Sequence, residues 1–183
     1  MSQAPDTFRV KFVTSEGDFV LESIREWSPN GVDRFHELVR EGFYDDTRFF
    51  RVLDGFVAQF GISGDPAANQ RWRAAPIPDD ESAAGNERGT VTFAMAGPET
   101  RTTQLFINLV DNRRLDGMGF TPIGRVVEGL ETVDALFSGY GEGAPRGRGP
   151  DQGRIQSEGN AYLDRDYPQL SRVVRATIEE PAP

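Results

Sequence analysis

An antiparallel β-barrel or sandwich capped by helices is the fold class that this sequence predicts. Three observations carry it. Short segments of alternating apolar and polar residues recur along the chain with turn residues between them. Two stretches of helical spacing lie near opposite ends of the central region. The composition, 37% hydrophobic with 10% aromatic over 183 residues, suits a packed core in one domain.

TFRVKFVTSEGDFVLESI alternates on both sides of EGD and reads as two strands joined by a turn. SPNGVDRFHELVREG reads as a helix with Ser28 as cap, Pro29 in the first turn and Phe35, Leu38 and Val39 on its apolar face; Gly42 stops it. FFRVLDGFVAQFG is a hairpin with Asp54-Gly55 at the turn. Residues 61–88, rich in Gly, Pro, Ala and Asp, read as one long loop. GTVTFAMAG, QLFINLV and IGRVVEG are further strands, and GLETVDALFSGY is a second helix with Val133, Leu136 and Phe137 at helical spacing. The remainder, 139–183, begins with the irregular GYGEGAPRGRGPDQG and continues through RIQSEGNAYL and RVVRATIEE. The expected organisation is a single domain over 1–183, with 139–183 as a loop-rich extension that closes it.

Charge and composition narrow the function. At a formal net charge of −9 the chain lacks the phosphate attraction that dominates nucleic-acid binding, and it repels anionic lipid. No run approaches the ~20 apolar residues of a spanning helix, and the N-terminus lacks a basic segment followed by an apolar one. A soluble, cytoplasmic protein is expected. There is no cysteine, hence no disulfide, thiolate metal site or Cys nucleophile. The single histidine, His36, lies on the first helix with no partner for a triad or an HExxH site and reads as structural. Asp45-Asp46 and Asp79-Asp80-Glu81 lack calcium-loop spacing and read as solvated loop carboxylates. GYGEGAPRGRGPDQG has no GK[ST] or helix start after it, so a surface loop is expected rather than a phosphate cradle.

The hairpin is the one segment with a charge among core-type residues. With Asp54-Gly55 as two turn residues, Arg51 pairs with Ala58, and alternation puts Arg51, Leu53 and Phe56 on one face. Gln59 falls on the other face unless a bulge intervenes. The residues alone leave two readings open. Either the polar side chains face water, or the guanidinium stands at the wall of an apolar pocket. Only Lys11 of the 20 basic residues is lysine, so Arg at one position is weak evidence by itself.

Several motifs in sequence order decide between them. FFRVLDGFVAQFG, GTVTFAMAGPETRTTQLFIN, RRLDG, IGRVVEGLETVDAL and the preceding FHELVREGFYDDTRFFRV resemble the segments of the cyclophilin-type peptidyl-prolyl cis-trans isomerases over roughly residues 8–138. The resemblance implies an eight-stranded antiparallel β-barrel closed by two helices, with the site on an outer face and no cofactor or metal. It implies Arg51 as the catalytic guanidinium with Gln59 beside it. Phe56, Val57, Phe106 and Leu115 become the proline pocket and Gln104 a polar wall; Phe120 stands near the position where many members carry His. Ala94, Met95 and Ala96 lie along the substrate backbone. The substrates implied are proline-containing peptides and unfolded protein segments, in aid of folding. Arg114 stands where many members have Trp before Leu-Asp-Gly, which implies weak cyclosporin binding.

Those residue types suit bond rotation. No covalent bond changes, so no nucleophile, base or metal is required. The prolyl nitrogen gains a lone pair only when the amide twists, and a fixed guanidinium favours that state selectively. A proline-binding module without turnover, and a scaffold whose tail holds a partner, are the competing readings on the same fold.

Overall fold

The computed structural model describes residues 2–180; residues 1 and 181–183 of the expected domain lie outside them. Eight strands form one sheet: β1 (Thr7–Thr14), β2 (Gly17–Ile24), β3 (Arg51–Val52), β4 (Val57–Phe60), β5 (Thr90–Phe93), β6 (Leu105–Asn108), β7 (Pro122–Glu128) and β8 (Val173–Ile178). Their spatial order is β3-β4-β6-β5-β7-β2-β1-β8, with every pair antiparallel. The sheet curls until its edges meet. Thr47 and Phe49, just before β3, exchange backbone hydrogen bonds with Ser171 and Val173 at the start of β8 (Phe49 N–H to Ser171 C=O, 2.9 Å; Val173 N–H to Thr47 C=O, 2.8 Å). The eight-stranded antiparallel architecture is the expected one.

Alternation explains the wall. In β1, Phe8, Val10, Phe12 and Thr14 point inward, while Thr7, Arg9 and Lys11 face water. The interior is filled by rings: Phe12, Phe19, Phe35, Tyr44, Phe49, Phe60 and Phe93 are all buried, and Phe12 stacks on Phe19 with centroids 4.7 Å apart. Each such ring contributes about 1.5–3 kcal/mol on burial. A barrel packed this way has no room for a ligand, so a site must lie on its outside.

The helices depart from expectation in number and extent. The first, α1 (Pro29–Arg40), buries Val32, Phe35, Leu38 and Val39 against the barrel, with Pro29 in its first turn and Gly42 beyond its end at φ +72°. Ser28 occupies the cap position but does not cap. Its hydroxyl donates to Asp80 (2.6 Å), whose carboxylate accepts the N–H groups of Asn30 and Gly31, each at 3.0 Å. The cap thus comes from 50 residues away. Asp80 is correspondingly not a solvated loop carboxylate, since its side chain is only 4% exposed.

Residues 61–88 are not one loop either, for they contain α2 (Pro66–Arg73). Asp65 caps α2 by accepting from Ala67, and Trp72 is its buried anchor. The helix expected over 129–140 shortens to α3 (Leu130–Asp134); Val133 and Leu136 are buried as that spacing requires, but the Phe137 N–H donates to Ser171 Oγ. The tail adds α4 (Gln152–Glu158) and α5 (Asn160–Asp166). His36 meets Phe8 edge-on at 4.9 Å, and burial, followed by Arg40, lowers its pKa.

A second apolar cluster positions the site. Ile155, Tyr162, Leu163 and Leu170 of the tail pack on Phe50 and Ile62, which flank the β3–β4 hairpin. The tail is therefore moored beside the strands that carry Arg51 and Gln59.

Candidate active site

The hairpin turns through three residues rather than two. Leu53 donates to Val57 C=O (2.8 Å), Phe56 donates to Leu53 C=O (3.0 Å), and Gly55 takes φ +73°. Gly55 is thus the third residue of the turn Leu53–Phe56, and its positive φ makes the turn type II, a geometry glycine adopts without strain. The extra residue shifts the register by one, so Arg51 pairs with Gln59 and Val52 with Ala58. Arg51 and Gln59 consequently share a face, where the two-residue turn had separated them. Phe56 sits in the turn rather than opposite Leu53, yet the Arg51 guanidinium carbon still lies 5.9 Å from its ring centre.

That face opens onto a groove of about 640 Å³ on the outside of the barrel. All the expected site residues line it: Arg51, Gln59, Phe56, Val57, Ala94, Met95, Ala96, Gln104, Phe106, Leu115 and Phe120. Val57, Phe106 and Leu115 form a buried apolar floor, with Phe56, Ala94 and Phe120 packed around it. Phe120 meets Phe106 edge-on at 5.7 Å. Arg114 rises at the rim with its guanidinium carbon 5.2 Å from the centre of the Phe56 ring.

The floor is held by buried amides. Asn86 accepts from Thr92 Oγ1 (2.7 Å) and donates to Asp116 (2.8 Å) and to Phe120 C=O (2.9 Å). Asn112 donates to Phe56 C=O (3.0 Å) and to Asn108 Oδ1 (2.9 Å). These bonds fix the Leu-Asp-Gly turn and Phe56 together; Asn86 and Asn112 lie outside the motifs that resemble the family, and Asn108 ends one of them without a role implied for it. On the opposite wall Gly61 lies so close to β6 that an added Cβ would fall 2.6 Å from Thr103 C=O; its φ is +103°. Glycine there lets Gln104 come alongside Gln59.

A polar chain crosses the site. Arg51 Nη1 donates to Gln59 Oε1 (3.0 Å), and Gln59 Nε2 donates to Gln104 Oε1 (2.9 Å). On its other side Arg51 donates through Nε and Nη2 to the two carboxylate oxygens of Glu142 (2.7 and 2.8 Å). The hydrogen bonds from Arg51 hold the Glu142 carboxyl below its ordinary pKa against the opposing effect of burial, with the Gly143 N–H and Arg146 assisting. Glu142 belongs to GYGEGAPRGRGPDQG, which is therefore no mere surface loop. Arg146 and Gln152 from the same region also border the groove, as do Thr100, Thr102 and Met118. Among the described residues no cluster of three or more His, Cys, Asp or Glu could hold a metal ion.

Comparison with known proteins identifies the family and the fold. The sequence pattern of the family "Cyclophilin type peptidyl-prolyl cis-trans isomerase/CLD" matches residues 9–157. Peptidyl-prolyl cis-trans isomerase B of Escherichia coli is 35% identical over 136 residues, covering 69% of this chain and 82% of that protein. An isomerase of Streptomyces antibioticus is 37% identical over 147 residues, covering 75% and 87% respectively. Among solved structures, a cyclophilin type isomerase of Cryptosporidium parvum superposes with a TM-score of 0.69 at 20% identity, covering 96% of this chain and 99% of that one. A second structure of that protein, obtained in the presence of the dipeptide Ala-Pro, gives 0.67 at 21%, covering 94% and 99%. With the motifs of the Arg51 hairpin, Gln104 and Leu115 gathered on one groove and the family pattern spanning most of its length, this chain belongs to the cyclophilin-type peptidyl-prolyl cis-trans isomerases.

Proposed function

We propose that this protein accelerates rotation about X–Pro bonds in unfolded or flexible protein segments, with Arg51 as the catalytic group. The observation that carries the reading is the placement of one guanidinium, its side chain 21% exposed, between a glutamine chain and an apolar floor of Val57, Phe106 and Leu115. The Ala-Pro dipeptide used with the Cryptosporidium parvum relative supports a proline ring as the occupant of that floor.

The uncatalysed barrier is ~18–20 kcal/mol because amide resonance must be broken. The proline ring anchors on Phe106, Leu115 and Phe56 while the other side of the bond turns. In the twisted state the nitrogen becomes a hydrogen-bond acceptor, and an Arg51 N–H donates to it. A charged hydrogen bond of this kind contributes about 1.5–3 kcal/mol, one to two powers of ten in rate at ~1.36 kcal/mol per decade. Reaching milliseconds from an uncatalysed exchange of tens to hundreds of seconds needs about four or five decades. The groove supplies the rest by holding the ring and by excluding water from the planar, more polar amide. Gln104 is placed to bind the carbonyl that swings, and Gln59 to hold Arg51. Ala94, Met95 and Ala96 offer their backbone along the groove.

Arg114 bears on ligand choice. A guanidinium over Phe56 offers no indole to cyclosporin, and weak binding is proposed on that ground. Arg114→Trp should then strengthen cyclosporin binding, read by calorimetry; equal affinity would remove the residue from the argument. The cytoplasm is proposed as the compartment, and fractionation of cells that make the protein tests it.

The test is exchange spectroscopy on a proline peptide. The protein should raise the cis/trans exchange rate at substoichiometric concentration. Binding without acceleration would make the domain a proline-recognition module instead.

A further inference from the structure

We propose that Glu142 is a positioning residue for the isomerisation: its carboxylate aims the Arg51 guanidinium at the groove. The proposal rests on the reading of Arg51 given above.

Strand β3 fixes only the backbone of Arg51, and its side chain is long and rich in rotamers. From the groove side Gln59 supplies a single acceptor, which leaves the guanidinium free to turn about that bond. Glu142 removes this freedom by engaging Nε and Nη2 together at 2.7 and 2.8 Å. Two parallel hydrogen bonds fix a plane as well as a distance. Of the five N–H donors of an arginine, three are then spent, two on Glu142 and one on Gln59. One N–H on each terminal nitrogen stays available for substrate.

The loop is built to present this carboxylate. The Gly143 N–H donates to Glu142 Oε1 (2.9 Å), and the Gly149 N–H donates to Glu142 C=O (2.8 Å). A Cβ at Gly147 or Gly149 would fall 2.3 or 2.8 Å from that same carbonyl oxygen, so the glycines of RGRG let the loop fold beneath Glu142. Tyr167 donates its hydroxyl to Gly149 C=O (3.1 Å), and the Tyr162 hydroxyl accepts from Asp151 N–H (3.1 Å). Both tyrosines belong to the tail cluster packed on Phe50 and Ile62. The carboxylate is thus braced against the far side of the hairpin that carries Arg51.

Neutralising a catalytic cation would lower activity, whereas aiming it raises activity. Misplacement of a reacting group by ~1 Å can cost as much as a hundredfold, so the second effect dominates.

Exchange rates and peptide affinities of Glu142→Ala and Glu142→Gln, each made also in an Arg51→Ala background, test the assignment. Glu142→Ala should lower turnover about tenfold with peptide affinity within about twofold, a loss of near 1.4 kcal/mol confined to the transition state. Glu142→Gln keeps one acceptor oxygen and should recover part of the loss. Neither change should matter once Arg51 is gone, because the residue acts through it. Unchanged or higher turnover in Glu142→Ala overturns the proposal. So does an equal loss in the Arg51→Ala background, which would assign Glu142 to loop support alone. Should Glu142→Ala fail to fold, the Gln variant and its Arg51→Ala counterpart decide by the same criteria. Absence of acceleration by the unmodified protein is a separate result and would count against the isomerase reading itself.

Discussion

Two arginine–carboxylate pairs on this barrel look alike in chemistry and differ in setting. Arg101 and Asp80 are 5% and 4% exposed, and the Asp80 oxygens also take Ser28 Oγ and two N–H groups of α1. Arg51 and Glu142 are 21% and 32% exposed, border an open groove and leave two guanidinium N–H groups unspent. The first pair joins the 74–88 segment to the first turn of α1. The second is poised to meet something that is not part of the chain. Arg101 also spends three N–H groups, on Ser28, Pro78 and Asp80, and its Nε is buried without a partner among the described residues. What separates architecture from function here is that the unspent donors of Arg51 border an open groove with an apolar floor, whereas those of Arg101 are buried.

If the distinction is sound, the two pairs should fail differently. Asp80→Ala leaves Arg101 charged and buried, and breaking a pair of that kind costs about 3–5 kcal/mol. The urea midpoint should fall accordingly, while turnover per folded molecule changes little. A small shift would mean the pair is more solvated than its burial implies. Arg51→Ala should do the reverse, lowering turnover at least tenfold with little change in the unfolding midpoint.

Acid sharpens the contrast. Burial acts to raise the Asp80 carboxyl, but Ser28, the N–H groups of Asn30 and Gly31 and Arg101 outweigh it and hold the group below its usual 3.8. Arg51 likewise holds Glu142 below 4.5. Groups depressed in the folded state bind protons more readily when unfolded. Their stabilisation is therefore complete above those ordinary values and is lost as pH falls through the lower, folded ones. Urea unfolding at neutral and acid pH should show stability falling on acidification, and less steeply in Asp80→Asn. The smallest effect belongs to an exposed pair. Arg88 and Asp134, 40% and 48% exposed, form a fork at 2.9 and 2.7 Å, and Arg88→Ala should shift stability by under about 1 kcal/mol.

Much of this was legible in the sequence. The alternation of TFRVKFVT and the spacing of Phe35, Leu38 and Val39 record burial directly, so the first strand and helix could be read locally. The motifs around Arg51, Gln104 and Leu115 named the groove because each carries its own residue types. Three things were not legible, for distinct reasons. The hairpin register depended on one residue of turn length, and a one-residue slip moves Gln59 to the opposite face. Helix α2 was hidden because PAANQRWR has almost no apolar face, although Asp65-Pro66 is a cap-and-first-turn pair that could have revealed it. Glu142 pairs with a residue 91 positions earlier, and nothing in a glycine-rich segment encodes a contact at that separation. The same holds for Asp80 as the cap of α1.

The account stands on Arg51 meeting the prolyl nitrogen only as the bond twists. The most direct measurement is the exchange rate of a bound X–Pro peptide, compared between the unmodified protein and Arg51→Ala with affinity determined on the same samples. The account predicts turnover reduced at least tenfold with affinity nearly retained. A variant that binds the peptide and turns it over at the original rate would contradict it.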